Sequence, residues 1–404
     1  MKKIFCIIFA VVFVFMACQP EIPMVTSGLD SSYAVVRMKA LRLHPEYSGD
    51  RYEWSMLDSE GNDSIVATTR DYIFVAARTG VYRLKFQVID SISPFEHEAV
   101  ITVWDEEIAY SRYITKVYDY CPAPGQFVGD MPRYLEGDTE ESMRIKVEES
   151  IRGTNDDLVT LGGFGGYITF GFDHSVVNIK DSLDFKILGN AFYASSNIDA
   201  NNPNSGGSAE PGIVMVAMDD NGNGMPDDEW YELAGSEHGK PSTICNYEVT
   251  YYRTPTDHVP TPRPNSGVTD TTYIAWSDNQ GGSGYIERNA FHTQDYFPCW
   301  LSDNTLTFGG TRLPNNAVDA QGNGAYYVFG VYEWGYADNH SNNAPIEHTG
   351  FDIDWAVDAT GTPVYLPCID FVRVYTAVNQ QCGRVGEIST EICRAEDLHI
   401  VEEW

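Results

Sequence analysis

The chain has 404 residues, with 26 lysines and arginines against 58 aspartates and glutamates, a formal net charge of −32. A field of that sign repels nucleic acid and anionic lipid headgroups at long range and favours divalent cations, so no nucleic-acid partner is expected. With 25 tyrosines and 35 glycines the composition is that of a β-rich, loop-rich extracellular protein, and the length suffices for a real core.

Met1-Lys2-Lys3 precedes an apolar run from Ile4 to Met16, the charged start and hydrophobic centre of a secretory signal, too short to span a bilayer as a helix. The run ends in Phe15-Met16-Ala17-Cys18, and a small residue before a cysteine resembles the site read by lipoprotein signal peptidase. The expectation is a lipoprotein signal peptide over 1–17, lipidation of Cys18 and a tether over 18–27. Several acyl chains anchor stably where one binds only marginally, so the membrane is reached through the lipid. Gln19-Pro20-Glu21 lacks the aspartate that commonly retains lipoproteins at an inner membrane, which favours the outer membrane. No later segment reads as a membrane span.

Residues 28–108 read as short alternating strands. Tyr52-Glu53-Trp54-Ser55-Met56 alternates aromatic and polar residues, and Gly80 to Asp90 puts Tyr82, Leu84, Phe86 and Val88 on one strand face, with Ala99 to Trp104 closing. This segment resembles the PKD-like branch of immunoglobulin-type sandwiches, in which a Trp on a central strand packs beneath a G-x-Y-x-L-x-V strand; such modules usually act as spacers. Over 109–404, strand-like pieces including Gly166–Phe172, Gly212–Ala217, Tyr247–Tyr252 and Phe371–Tyr375 are joined by polar loops rich in Gly, Asn and Asp, and only Met143–Ile151 has clear helical character. The fold expected is all-β: an N-terminal immunoglobulin-like (PKD-like) sandwich, then a larger jelly-roll-type β-sandwich whose long loops carry the binding residues.

The sharpest local motif is Asp219-Asp220-Asn221-Gly222-Asn223-Gly224-Met225-Pro226-Asp227-Asp228-Glu229. Oxygen-bearing side chains fall at positions one, three, five and nine, and Gly224 stands where a Ca²⁺ loop must turn sharply. The expected site is a structural Ca²⁺ held by Asp219, Asn221, Asn223, the Met225 carbonyl, Asp227 and Glu229. Position twelve is Trp230 rather than the bidentate Glu of an EF-hand, and an Asx/Gly turn that binds nothing is the alternative. Aromatic residues flanked by amides form a second signal, because a ring stacks on a ligand face while amides bond its rim. On that ground Trp276, Asp278, Asn279, Tyr285, Trp300, Trp334, Tyr336, Asn339 and His340 are candidate ligand contacts.

Enzyme signatures fail. Leu161-Gly162-Gly163-Phe164-Gly165-Gly166 lacks both dinucleotide spacing and a Walker lysine and suits a tight turn, Gly281-Gly282-Ser283-Gly284-Tyr285 is no nucleophile elbow, and no histidine begins an HExxH. Carboxylates such as Glu210, Asp352, Asp354, Asp370 and Glu387 are so abundant that sequence gives no reason to choose a catalytic pair. The cysteines after Cys18 show no zinc spacing and read as buried thiols or one or two bridges. No catalytic residue is assigned, and the expectation is a binding protein, not an enzyme.

The series Leu161–Gly166, Gly189-Asn190-Ala191-Phe192, Glu210-Pro211-Gly212-Ile213-Val214, Asp220–Glu232, Arg312–Asn316, Trp334–Asp338, Asp352–Asp358 and Ala395–His399 resembles a family of PKD-bearing cell-surface lipoproteins of Bacteroidetes that includes the BtuH-type cobalamin-binding proteins. The resemblance implies a surface-exposed outer-membrane lipoprotein that captures cobalamin (vitamin B12) or related corrinoids as ligand, not as catalytic cofactor, and works with a TonB-dependent outer-membrane transporter. The alternatives are a calcium-stabilised glycan-binding surface lipoprotein and an extracellular carboxylate-dependent hydrolase.

Overall fold

The computed structural model describes residues 27–57, 62–89, 94–193 and 207–400; the signal segment, Cys18 and its tether through residue 26 lie outside the described residues. Strands account for 42% of the chain and helices for 6%, so the protein is all-β. Among the described residues no helix is long and apolar enough to cross a membrane. Two compact units are present. The smaller takes in Leu43–Tyr72, Tyr82–Ile101 and the chain up to Tyr33; the larger takes in Ala34–Arg42, Ile73–Val81 and the chain from Thr102 onward.

The smaller unit centres on Trp54, in the strand Arg51–Leu57, which pairs antiparallel with Gly80–Ile89 so that Trp54 faces Phe86. Its indole is buried between Tyr72 and Phe86, with centroids 5.2 and 4.6 Å away, and its Nε1 donates to the Thr69 and Arg70 carbonyls. Leu84, Phe86 and Val88 alternate inward, as a two-residue period requires.

The larger unit is built on a six-stranded antiparallel sheet in the order Ala356–Val357, Trp230–Leu233, Gly212–Ala217, Cys368–Thr376, Tyr167–Val177, Lys116–Cys121. One face, with Phe170, Val214, Val372 and Val374, packs in a core with Phe185 and Ile187 of the strand Phe185–Leu188 and Met143, Val147 and Ile151 of the helix Glu140–Ile151. The opposite face, with Ile213 and Tyr375, packs in a second core with Tyr247, Val249, Tyr251, Ile274 and Ile286 of a four-stranded sheet ordered Ser283–Asn289, Val268–Asp278, Ile244–Tyr252, Thr305–Arg312. The sandwich is thus three layers deep. The central strands Gly212–Ala217 and Cys368–Thr376 are buried almost throughout because both their faces are covered.

The helix begins at Glu140, three residues before the apolar period becomes visible. Thr139 caps it, accepting from the Ser142 backbone while the Ser142 hydroxyl accepts from Thr139 N–H. The glycine run closes a tight turn. A Cβ on Gly162, whose φ is +69°, would stand 1.9 Å from the Ala123 carbonyl oxygen, so only glycine fits. All six described cysteines are free thiols, three of them buried.

Candidate functional site

Strands Val268–Asp278 and Ser283–Asn289 form a hairpin at the edge of the four-stranded sheet. Its turn is closed by Asp278, whose Oδ1 accepts from Gln280 N–H at 3.0 Å and Gly282 N–H at 2.6 Å, while Oδ2 accepts from the Tyr247 hydroxyl at 2.8 Å. Asn279 donates its amide to the Asn246 carbonyl. Both residues are therefore engaged in building the turn. Two residues earlier, Trp276 lies opposite Gly284, and a Cβ there would meet the indole at 2.7 Å. Lack of a side chain at 284 lets the ring lie flat on the neighbouring strand. Tyr285, 45% exposed, sits one residue along and therefore on the other side of the pleat.

Trp276 and Tyr285 both border a cavity of about 230 Å³ whose wall includes Gly163, Tyr251, Glu287 and Glu387. Glu387 is 5% exposed. Its Oε1 accepts from Gln126 N–H at 2.7 Å, and its Oε2 has no hydrogen-bond partner among the described residues. Burial pushes this carboxyl up to about 7. Glu287 repeats the arrangement: Oε1 takes an ion pair from Arg263 at 2.5 Å, and Oε2, itself buried, has no partner among the described residues. The amides bordering the cavity are held elsewhere, Gln380 by both backbone groups of Ala317 and Gln381 by Glu287 N–H and the Gly383 carbonyl. The cavity wall thus combines the rings of Trp276 and Tyr285 with two glutamates, each of which keeps one buried oxygen without a donor among the described residues.

Behind Glu387 the chain Glu387-Ile388-Ser389-Thr390-Glu391 is buried throughout. At its far end Glu391 meets Glu210 and Asp338, with one oxygen of each within 4.8 Å of the others, a spacing that could hold a metal ion. The hydrogen bonds they accept come from neutral groups: Asn190 and Ala191 N–H and Glu391 N–H on Asp338, Ser389 N–H on Glu210, and Thr160, Ser389 and Asn190 side chains on Glu391. Burial and mutual repulsion push Glu210 and Glu391 well above the carboxylate range, and burial brings Asp338 to about 7. Nothing in the sequence distinguished these groups among 58 carboxylates, although a glutamate on each side of Ile388-Ser389-Thr390 in a strand-like stretch was a signal that could have found them.

The other candidate contacts lie outside that cavity's wall. Trp300 stands beside Tyr120 and Tyr134, bordering a separate cavity of about 220 Å³, and its Nε1 has no partner among the described residues. Trp334 packs on Trp355 at 4.7 Å. Tyr336 is buried, its hydroxyl accepting from Glu237 N–H. Asn339 is buried with both ends of its amide on the Tyr332 backbone. His340 is buried, stacks on His348 and bonds the Tyr193 hydroxyl through Nδ1; burial and then His348 hold its proton affinity below the usual range.

In the acidic loop between Gly212–Ala217 and Trp230–Leu233, Asp219 accepts from Asn223 N–H and Gly224 N–H at 3.0 Å each. Asn221 and Asn223 amides both reach Asp227, whose carboxyl they hold below its usual range. Four of the six expected calcium residues therefore converge. Met225 has an exposed side chain, and Glu229 is turned to the Tyr231 hydroxyl at 3.0 Å. Asp228 comes closer: its Oδ1 accepts from Asn221, and its buried Oδ2 has no partner among the described residues. The donor set of carboxylate and amide oxygens, with that orphan oxygen beside it, fits Ca²⁺.

No family model and no curated protein sequence matches the chain. Among solved structures, a SusE-like protein, BT2857, is similar over 90% of this chain and 94% of its own, at 8% identity and a TM-score of 0.26, an overlap too loose to argue from.

Proposed function

We propose that the larger unit is a saccharide-binding module, carried on a lipid anchor at Cys18 at the outer surface of the cell, that captures its ligand without turning it over. The observation behind this reading is the Trp276 cavity, whose wall joins Trp276 and Tyr285 to two glutamates, each with one buried oxygen that has no donor among the described residues. A pyranose brings a C–H face that stacks on indole and hydroxyls that donate to such oxygens, which relieves the cost of leaving them unpaired. Calorimetric titration of the mature chain against a panel of oligosaccharides tests it: saturable heat that disappears in Trp276→Ala is expected, and no heat from any glycan overturns it. A cavity of about 230 Å³ cannot enclose a corrin with its amide rim and nucleotide tail, and no observation on the chain supports cobalamin. Cyanocobalamin serves as the control ligand and is expected to give no heat.

Bound Ca²⁺ at Asp219, Asn221, Asn223, Asp227 and Asp228 is the second part of the proposal, with a structural role. A hydrolytic reading has one observation in its favour: burial pushes the Glu387 carboxyl in the cavity wall up to about 7, and a general acid raised by its surroundings is one half of the glycosidase pair. Release of reducing sugar from the glycan panel, abolished in Glu387→Gln, would replace capture by hydrolysis.

A further inference from the structure

A second cavity borders the same hairpin, about 550 Å³ and so larger than the Trp276 cavity, with a wall that includes His258, Asp270, Tyr273, Arg288 and Asn289. Glu287 lines the Trp276 cavity, and the next residue of the strand, Arg288, lines this one. Arg288 is held in place before any ligand arrives. Its guanidinium lies 5.0 Å from the Tyr273 ring centroid, and its Nη2 donates to the carbonyls of Thr293 and Gln294. It makes no ion pair among the described residues, although acidic residues outnumber basic ones by more than two to one.

The acid paired with it across the strands, Asp270, does not neutralise it. Asp270 is buried, with Oδ1 accepting from Thr261 N–H and from the N–H and hydroxyl of Thr272, and Oδ2 accepting from His258 Nε2 at 2.6 Å. Those bonds outweigh burial and keep the carboxyl below its usual range, so it stays ionised and fixes His258 with Nε2–H as donor. The ring's Nδ1 is left for another partner. A buried relay joins the two cavities: the Asn289 amide donates to Gln126 Oε1 at 2.6 Å, and Gln126 N–H donates to Glu387.

We infer that this second cavity is a binding site for a carboxylate-bearing pyranose, a hexuronic acid, with Arg288 as the group that recognises the carboxylate. A guanidinium fork matches a carboxylate in geometry as well as in charge, and anchoring one nitrogen in advance lowers the ordering cost of using the others. The choice of a sugar as the anion's carrier rests on the saccharide reading of the neighbouring cavity; the anion site itself does not.

The test uses the mature chain with free glucuronic acid, its methyl ester and glucose as probes, followed by ligand-observed NMR. Glucuronic acid is expected to bind, with affinity at least about tenfold lower for the methyl ester and in Arg288→Gln, and with glucose unchanged by that substitution. Trp276→Ala should remove glucose and leave glucuronic acid. Absence of glucuronic acid binding, or equal affinity for acid and ester, overturns the inference; the ester needs no variant, so a misfolded Arg288→Gln protein cannot blur the result. Binding of acetate as strongly as glucuronic acid also overturns it, as showing an anion site with no sugar specificity. Absence of glucose binding to the unsubstituted chain, with glucuronic acid binding still dependent on Arg288, would sink the saccharide reading of the Trp276 cavity and leave this one standing.

Discussion

Trp276 owes its position to the glycine across the strand. With no side chain at 284, the indole lies over that backbone, and Trp276 is part of the cavity wall. Two substitutions separate the ring from its posture. Trp276→Ala removes the stacking face and should weaken saccharide binding at least tenfold, about 1.4 kcal/mol. Gly284→Ala keeps the ring but pushes it off the strand, and a loss of similar direction is expected in the same titration. Of the remaining aromatic candidates, Tyr336 and His340 became core because an aromatic flanked by amides has the same composition whether the amides meet a ligand or, as Asn339 does, the backbone of their own loop. Sequence carries that difference only through the distant strand that covers them.

At the scale of elements, four hairpin turns share one device. Asp219, Asp278, Asp319 and Asp358 each accept backbone N–H groups within their own turn, and each is followed three residues later by a glycine at positive φ: Gly222, Gly281, Gly322 and Gly361. The Asp319 loop reproduces the Asp219 loop closely, down to Gly324 N–H on the aspartate and Ala325 N–H on Asn323. It lacks a carboxylate at position nine, where Tyr327 stands in place of Asp227. Fold alone therefore accounts for the aspartate and glycines of the motif, and Asn221, Asp227 and Asp228, where the second loop has Gln321, Tyr327 and Val328, set the first loop apart. Added Ca²⁺ should raise the melting midpoint over that in EGTA, because a ligand held only by the folded chain stabilises it. Asp227→Asn should erase that rise, and Asp319→Asn should leave it intact, as read by a thermal scan.

Other elements were legible to different depths. The inward alternation of Leu84, Phe86 and Val88 and the turn formed by the glycine run were readable from period and residue type. The helix start was not, because its first turn is Glu140-Glu141-Ser142, which carries no apolar period, while its cap depends on a side chain three residues away. Thr139→Ala should cost about 1 kcal/mol in a denaturant titration. Gly162→Ala should cost several times as much, about 3 kcal/mol or more, since a Cβ there collides with the Ala123 carbonyl and φ is positive.

For the whole molecule, the near-continuous burial of Gly212–Ala217 and Cys368–Thr376 explains why their apolar residues marked strands yet did not announce a third layer. A run buried on both faces looks the same whatever covers it. The same depth of cover isolates Glu210, Asp338, Glu387 and Glu391 from water. Each carboxyl is raised in the folded chain, so the folded state binds protons that the unfolded state releases. The associated stability is fully present below the ordinary carboxylate range and is lost as pH rises, through about 7 for Asp338 and Glu387 and well above the carboxylate range for Glu210 and Glu391, at about 1.4 kcal/mol per pH unit for each group in its window. Melting in EGTA should therefore occur at a higher temperature near about pH 5 than near about pH 8, and Glu391→Gln should flatten that dependence.

The buried run from Glu387 to Glu391 gives that acidity a further meaning. One end belongs to the fold's protonated interior and the other to the cavity wall, so a single short segment experiences opposite demands. On the saccharide proposal, hydroxyls donating to Glu387 favour its ionised form, so capture is expected to release a proton and to strengthen as the medium becomes more alkaline, while the scaffold loosens in the same direction. The two expected slopes oppose each other and define an operating window: below it affinity falls, above it the frame that shapes the site loses stability.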